Sequence, residues 1–109
     1  MQEPTLLLLT ALADEPRHGY ALMQEVAEIS GGRVRLRTGT LYGALDRLQR
    51  EGLVLVVREE IVDGRARKVY ALAESGRTAL AQETVRLRAI TEEAERRLAP
   101  RPHLKGATA

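Results

Sequence analysis

Apolar positions change period several times along this chain, and each change marks an element. Pro4–Ala13 holds four consecutive leucines and predicts a first helix buried on nearly all sides. Asp14 or Glu15 then stands where it would cap a second helix, with Pro16 at the first helical position, where its missing N–H costs nothing. Leu22, Met23, Val26, Ala27 and Ile29 supply the buried face of that helix. Ser30-Gly31-Gly32 ends it, because glycine accepts the left-handed conformation past a helix end. The segment Arg33–Arg37, RVRLR, alternates and predicts a short strand. Leu41, Leu45 and Leu48 follow at i, i+4 and i+7, one face of a third helix capped by Thr38 or Thr40 and running to about Glu51.

Gly52 stops that helix, and a β-branched run begins. Two arms, 53–62 and 67–72, flank Asp63-Gly64, a dipeptide suited to a tight hairpin. From Glu74 to about Leu98 the period is helical again, a rod about 38 Å long. The final APRPHLKGATA has prolines and no period, which predicts disorder. This order predicts a mainly α fold with a small β-hairpin. Residues 1–73 would form a winged helix-turn-helix that binds DNA, 74–98 a C-terminal dimerisation helix, and 99–109 a disordered tail.

Only one stripe of the third helix is apolar; the rest carries Thr40, Tyr42, Asp46, Arg47 and Arg50. In a winged helix the third helix enters the major groove and the hairpin lies along the backbone, which gives that polar side a partner. Charge agrees with this. The net +2 conceals nine Lys or Arg against five acids between Arg33 and Lys68, with the excess of acids elsewhere. A basic middle suits a polyanion, although so small an excess is also compatible with an ordinary solvated surface.

Other chemistry finds little support. With no cysteine there is no disulfide, thiolate metal site or thiol nucleophile, which fits a cytoplasmic protein. No apolar run is long enough to span a bilayer. The N-terminal run has no basic stretch before it and ends in acids, unlike a signal peptide. No nucleophile–base pair, phosphate-cradling glycine loop or metal-ligand spacing suggests an enzyme, and no cofactor or metal is expected. Two binding functions compete: a DNA-binding regulator, and a winged-helix module whose basic middle meets an acidic protein.

Candidate DNA contacts follow from position. On the third helix these are Thr38, Thr40, Tyr42 and Arg47, with Arg47 able to donate twice to a guanine edge. Tyr42 could instead pack under the wing, and Asp46 is better placed to orient Arg47 or Arg50 than to approach phosphate. Arg65, Arg67 and Lys68 at the hairpin tip are candidate phosphate clamps. His18, at the start of the second helix, could meet a phosphate or make a structural hydrogen bond. Tyr20 and Tyr70 read as core. In the last helix Leu80, Leu87 and Ala94 recur every seven residues, with Ile90 and Leu98 alongside. That stripe suits a seam between subunits or packing on the first helix of the same chain.

The stretches HGYALMQEV (His18–Val26), GTLYGALDRLQREGLV (Gly39–Val54), DGRARKVYAL (Asp63–Leu72) and SGRTAL (Ser75–Leu80) resemble the PadR-like transcriptional regulators over about residues 4–98. The resemblance implies a cytoplasmic repressor with an N-terminal winged helix and a C-terminal dimerisation helix. It implies a homodimer on double-stranded, inverted-repeat operator DNA, released by a small-molecule effector or a partner's signal. Three departures stand out. Gly43 occupies a place where many members have a proline, which suits a helix start near Thr40. Ala73 replaces a frequent capping threonine, which leaves Ser75 as a substitute cap one turn later. Without Trp or Phe, a pocket that stacks flat drugs on aromatic rings is not expected.

Overall fold

The computed structural model describes residues 1–100; the tail expected to be disordered lies, from residue 101, outside them. The elements are α1 (Glu3–Ala11), β1 (Arg17–His18), α2 (Gly19–Ile29), α3 (Thr38–Arg50), β2 (Val54–Val62), β3 (Arg65–Leu72) and α4 (Glu74–Leu98). Leu8, Leu9, Leu12, Leu22, Leu41, Leu45 and Leu48 are all at most 1 % exposed, and they share one core with Val26, Val54 and Tyr70. Truncating any one of these leucines to alanine would cost about 2–5 kcal/mol, because the site could not fully collapse. This core sets α3 firmly on α1 and α2, with the hairpin after it. The fold is a winged helix-turn-helix followed by a long C-terminal helix.

Four local expectations are corrected. Neither Asp14 nor Glu15 caps α2, and Pro16 does not open it. The chain stays extended after Pro16, and Arg17 and His18 pair antiparallel with Tyr70 and Val69, adding a short third strand in the order β1-β3-β2. Asp14 and Glu15 are held instead by Arg17, which also donates to the Ala11 carbonyl at 2.9 Å. The RVRLR segment is not a strand. Val34 and Leu36 are half-buried against the core while Arg33, Arg35 and Arg37 are exposed, so the alternation reflects one-sided burial without a pairing partner. Ile29 is exposed rather than buried, since α2 outlasts the core beneath it.

Capping is the fourth correction. Arg37 is the N-cap of α3, with no side-chain hydrogen bond, and Thr38 is already inside the helix. The helix therefore starts before Thr40, and Gly43 lies beyond its first turn. Ala73 is likewise the uncapped N-cap of α4, and Ser75 does not replace the missing cap: its hydroxyl donates to the Gly52 carbonyl at 2.5 Å.

The hairpin forms as its turn dictates. Asp63 and Gly64 both have positive φ (51° and 77°), which a two-residue turn between twisted strands requires. At the start of α4, Gly76 packs directly under the Leu53 carbonyl, leaving no room for a Cβ. Leu80 packs against the core, but from Arg88 onward α4 has no buried residue. No helix among the described residues is long and apolar enough to cross a membrane.

Candidate nucleic-acid interface

Successive side chains turn about 100° around a helix, so the α3 stripe of Leu41, Leu45 and Leu48 places Gly39, Gly43, Asp46 and Arg50 opposite, along an outward crest. Tyr42 lies on one flank of that crest and Thr40 and Arg47 on the other. All seven are exposed. A Cβ added to Gly39 or Gly43 would meet nothing within 4 Å, so the N-terminal half of the crest is low and open. Asp46 holds Arg50 at 3.2 Å, as one of its two anticipated roles.

The flanking side chains are partly engaged within the chain. Arg47 reaches toward α1, donating from Nη2 to the Thr5 hydroxyl at 3.0 Å and approaching Glu51 at 3.5 Å. The ring of Tyr42, 37 % exposed, lies across Gly19 at the start of α2. Tyr70 is buried beside it; burial first, and then the nearby Tyr42 and Asp46, hold its hydroxyl above the ordinary tyrosine range. Tyr20 departs from the core reading and is 55 % exposed, because its position on α2 turns away from Leu22 and Val26.

His18 makes the structural hydrogen bond: it is the N-cap of α2, and its Nδ1 accepts from the Ala21 N–H at 3.3 Å. On the wing the three cations do not share a face. Side chains alternate along a strand, so Arg65 and Arg67 lie on one side and Lys68 on the other, with Tyr70 and Leu72. Glu60 and Glu59 sit directly opposite Arg67 and Lys68 across the ladder. Glu60 is taken by Arg58 at 2.9 Å. The Nε of Arg67 is buried with no hydrogen-bond partner.

Ion pairing sorts the basic residues. Arg17, Arg33, Arg47, Arg50 and Arg58 each have a carboxylate partner. The Arg33–Glu3 contact holds the Glu3 carboxyl below its ordinary range. Among the described residues, Arg35, Arg37, Arg65, Arg67, Lys68, Arg77 and Arg88 form no ion pair, and of these Arg77 donates to the Ala13 carbonyl at 3.2 Å. Apart from the two arginines of α4, these unneutralised cations form two sets, one leading into the N-terminus of α3 and the other at the end of the hairpin that follows it. The sequence reading had the second set and lacked Arg35 and Arg37. Their signal was there, as arginines on the polar side of an alternation running into a helix start.

The model of the transcriptional regulator PadR-like family matches residues 8–82. The chain belongs to the PadR-like family. Its matched region runs from α1 through both helices of the helix-turn-helix and the wing into α4. Transcriptional regulator Rv3488 of Mycobacterium tuberculosis (strain ATCC 25618 / H37Rv) is 41 % identical over 101 residues, covering 93 % of this chain and 88 % of that protein. Among solved structures, a PadR family transcription regulator from Clostridium difficile R20291 matches with a TM-score of 0.68 and 27 % identity, over 87 % of this chain and 97 % of that one. Bacillus subtilis PadR, solved in complex with operator DNA, shares the fold with a TM-score of 0.68 at 23 % identity, over 78 % of this chain and 48 % of that one. PadR-like proteins are transcriptional regulators, a class without enzymatic chemistry of its own.

Proposed function

We propose that this PadR-like chain is a cytoplasmic, homodimeric repressor that binds an inverted-repeat operator on double-stranded DNA. The observation that carries the reading is a separation of cations: Arg47 and Arg50 by the α3 crest are paired within the chain, whereas Arg35 and Arg37 just before α3 and Arg65, Arg67 and Lys68 on the wing are not. Such unpaired cations exchange solvent counterions for phosphates at little internal cost. The B. subtilis relative, solved on operator DNA, supports the same partner.

In this reading α3 enters the major groove with Thr38, Thr40 and its low glycine crest foremost. Arg35, Arg37, Arg65, Arg67 and Lys68 hold phosphates on either side, and His18 adds its second ring nitrogen where α2 begins. Arg47 reads a guanine edge by exchanging its Thr5 and Glu51 contacts for the base.

The dimer seam is the exposed half of α4. Leu80 is committed to its own core and Leu87 is half-buried in a single chain. Ile90, Ala94 and Leu98, four residues apart, are exposed, with Ile90 at 53 % and Leu98 at 82 %. An apolar stripe on a helix that has outrun its own core needs a second surface to cover it. Release by a small-molecule effector would act on the angle between the two winged helices.

Selection of bound sequences from a random duplex library tests the reading. The expected outcome is an inverted repeat with half-site centres about 34 Å apart, one turn of DNA. Recovery of no motif, with tight binding to an acidic protein instead, would favour a protein-interaction module.

A further inference from the structure

Three stretches far apart in sequence meet at one side chain. Tyr42 leaves α3 beside the crest, and its ring lies over Gly19, the first residue of α2. A Cβ on Gly19 would fall 2.7 Å from Cζ and 3.0 Å from Cε1, and closer still to the hydroxyl oxygen. Gly19 is not among the glycines with positive φ, so its backbone does not call for glycine. The ring does. His18, immediately before it, caps α2 and pairs with Val69, which ties the same point to β3. Tyr70 of β3 is close enough to Tyr42 and Asp46 for both to affect its hydroxyl. The segments HGY, GTLY and KVY therefore form a single joint between α2, α3 and β3.

We propose that Tyr42 is a positioning residue: its ring, seated in the socket left by Gly19, sets the angle between α2 and α3 and so the presentation of α3 to DNA, without itself contacting a base or phosphate. The proposal rests on the DNA-binding reading above. Where a side chain is absent at a helix crossing, the facing side chain determines how closely the two axes approach. Adding a methyl group at Gly19 forces the ring outward and tilts α3 with it.

The test is a double-mutant cycle on affinity for the duplex recovered by selection. Tyr42→Phe keeps the ring and is expected to bind within about twofold of the unaltered protein, while Tyr42→Ala loses about tenfold or more. Gly19→Ala is expected to lose about tenfold in the unaltered chain but less than about twofold in the Tyr42→Ala background, because the ring it collides with is gone. Melting temperatures should show the same non-additivity, with every variant retaining its helical circular dichroism. If Tyr42→Phe loses as much as Tyr42→Ala, the hydroxyl touches DNA and the positioning role is overturned. Equal costs for Gly19→Ala in both backgrounds overturn the joint. An unaltered protein that binds no duplex at all overturns the DNA-binding reading instead, and the joint is then decided by the melting cycle alone.

Discussion

Two glycines of this chain look alike in sequence and are opposite in structure. Gly43, inside α3, would accept a Cβ into open space, so Gly43→Ala should stabilise the fold by about 0.5–1 kcal/mol through helix propensity. Gly76, in the first turn of α4, lies against the Leu53 carbonyl, and a Cβ added there would fall 2.7 Å from a Leu72 methyl. Gly76→Ala must move backbone, and a clear drop in melting temperature is expected where Gly43→Ala gives a rise. Thermal melts of both variants check the pair. Arg47 is a comparable case. Helical spacing alone makes it a surface residue free to read DNA, but its guanidinium donates to the hydroxyl of Thr5, a residue only 9 % exposed on α1. Arg47→Ala is therefore expected to destabilise the fold by about 1 kcal/mol, the typical worth of such a hydrogen bond. It should also weaken operator binding more than random-duplex binding, as measured by parallel titrations. Equal losses on both DNAs would make Arg47 a phosphate contact.

Among the elements, those with a strong period or a demanding turn were legible in the sequence. The Asp63-Gly64 turn fixes the hairpin register, and the α4 boundaries follow from the sustained helical period after Ala73. Arg17–His18 was not legible, because a strand of two residues has no period and its partners, Val69 and Tyr70, are far along the chain. RVRLR misled for the opposite reason: one-sided burial of an extended segment produces the same alternation as a strand. The candidate site was half legible. The composition of the wing pointed to it, whereas Arg35 and Arg37 were hidden by the strand reading, and ion pairing depends on which side chains fold near one another. Arg65 and Arg67 lie on the face of β3 opposite Tyr70 and Leu72, so the pair can be removed without touching either of those. Arg65→Ala with Arg67→Ala should weaken operator and random DNA by similar factors and flatten the log K against log salt slope by about 2 per subunit. An unchanged slope would remove the wing from the backbone contacts.

At the scale of the whole molecule, the proposed dimer would hold two winged helices at a fixed spacing, and the exposed part of α4 is the element proposed to join them. Ile90 is a cleaner probe than Leu87 because it is exposed in the single chain, so Ile90→Glu should leave the winged helix folded. A carboxylate there would have to be desolvated to close the seam. Sedimentation is expected to show a monomer with its helix content kept, and operator affinity should fall by about two orders of magnitude as the tethering of two readers is lost. A dimer with normal binding would place the seam elsewhere. The central claim, that the unpaired cations around α3 hold duplex DNA, is tested most directly by titrating the unaltered protein against the selected duplex over a range of salt. Five phosphate contacts per subunit, from Arg35, Arg37, Arg65, Arg67 and Lys68, should give a log K against log salt slope of about −4.5 per subunit. No binding, or an affinity that barely changes between about 50 and 200 mM salt, would contradict it.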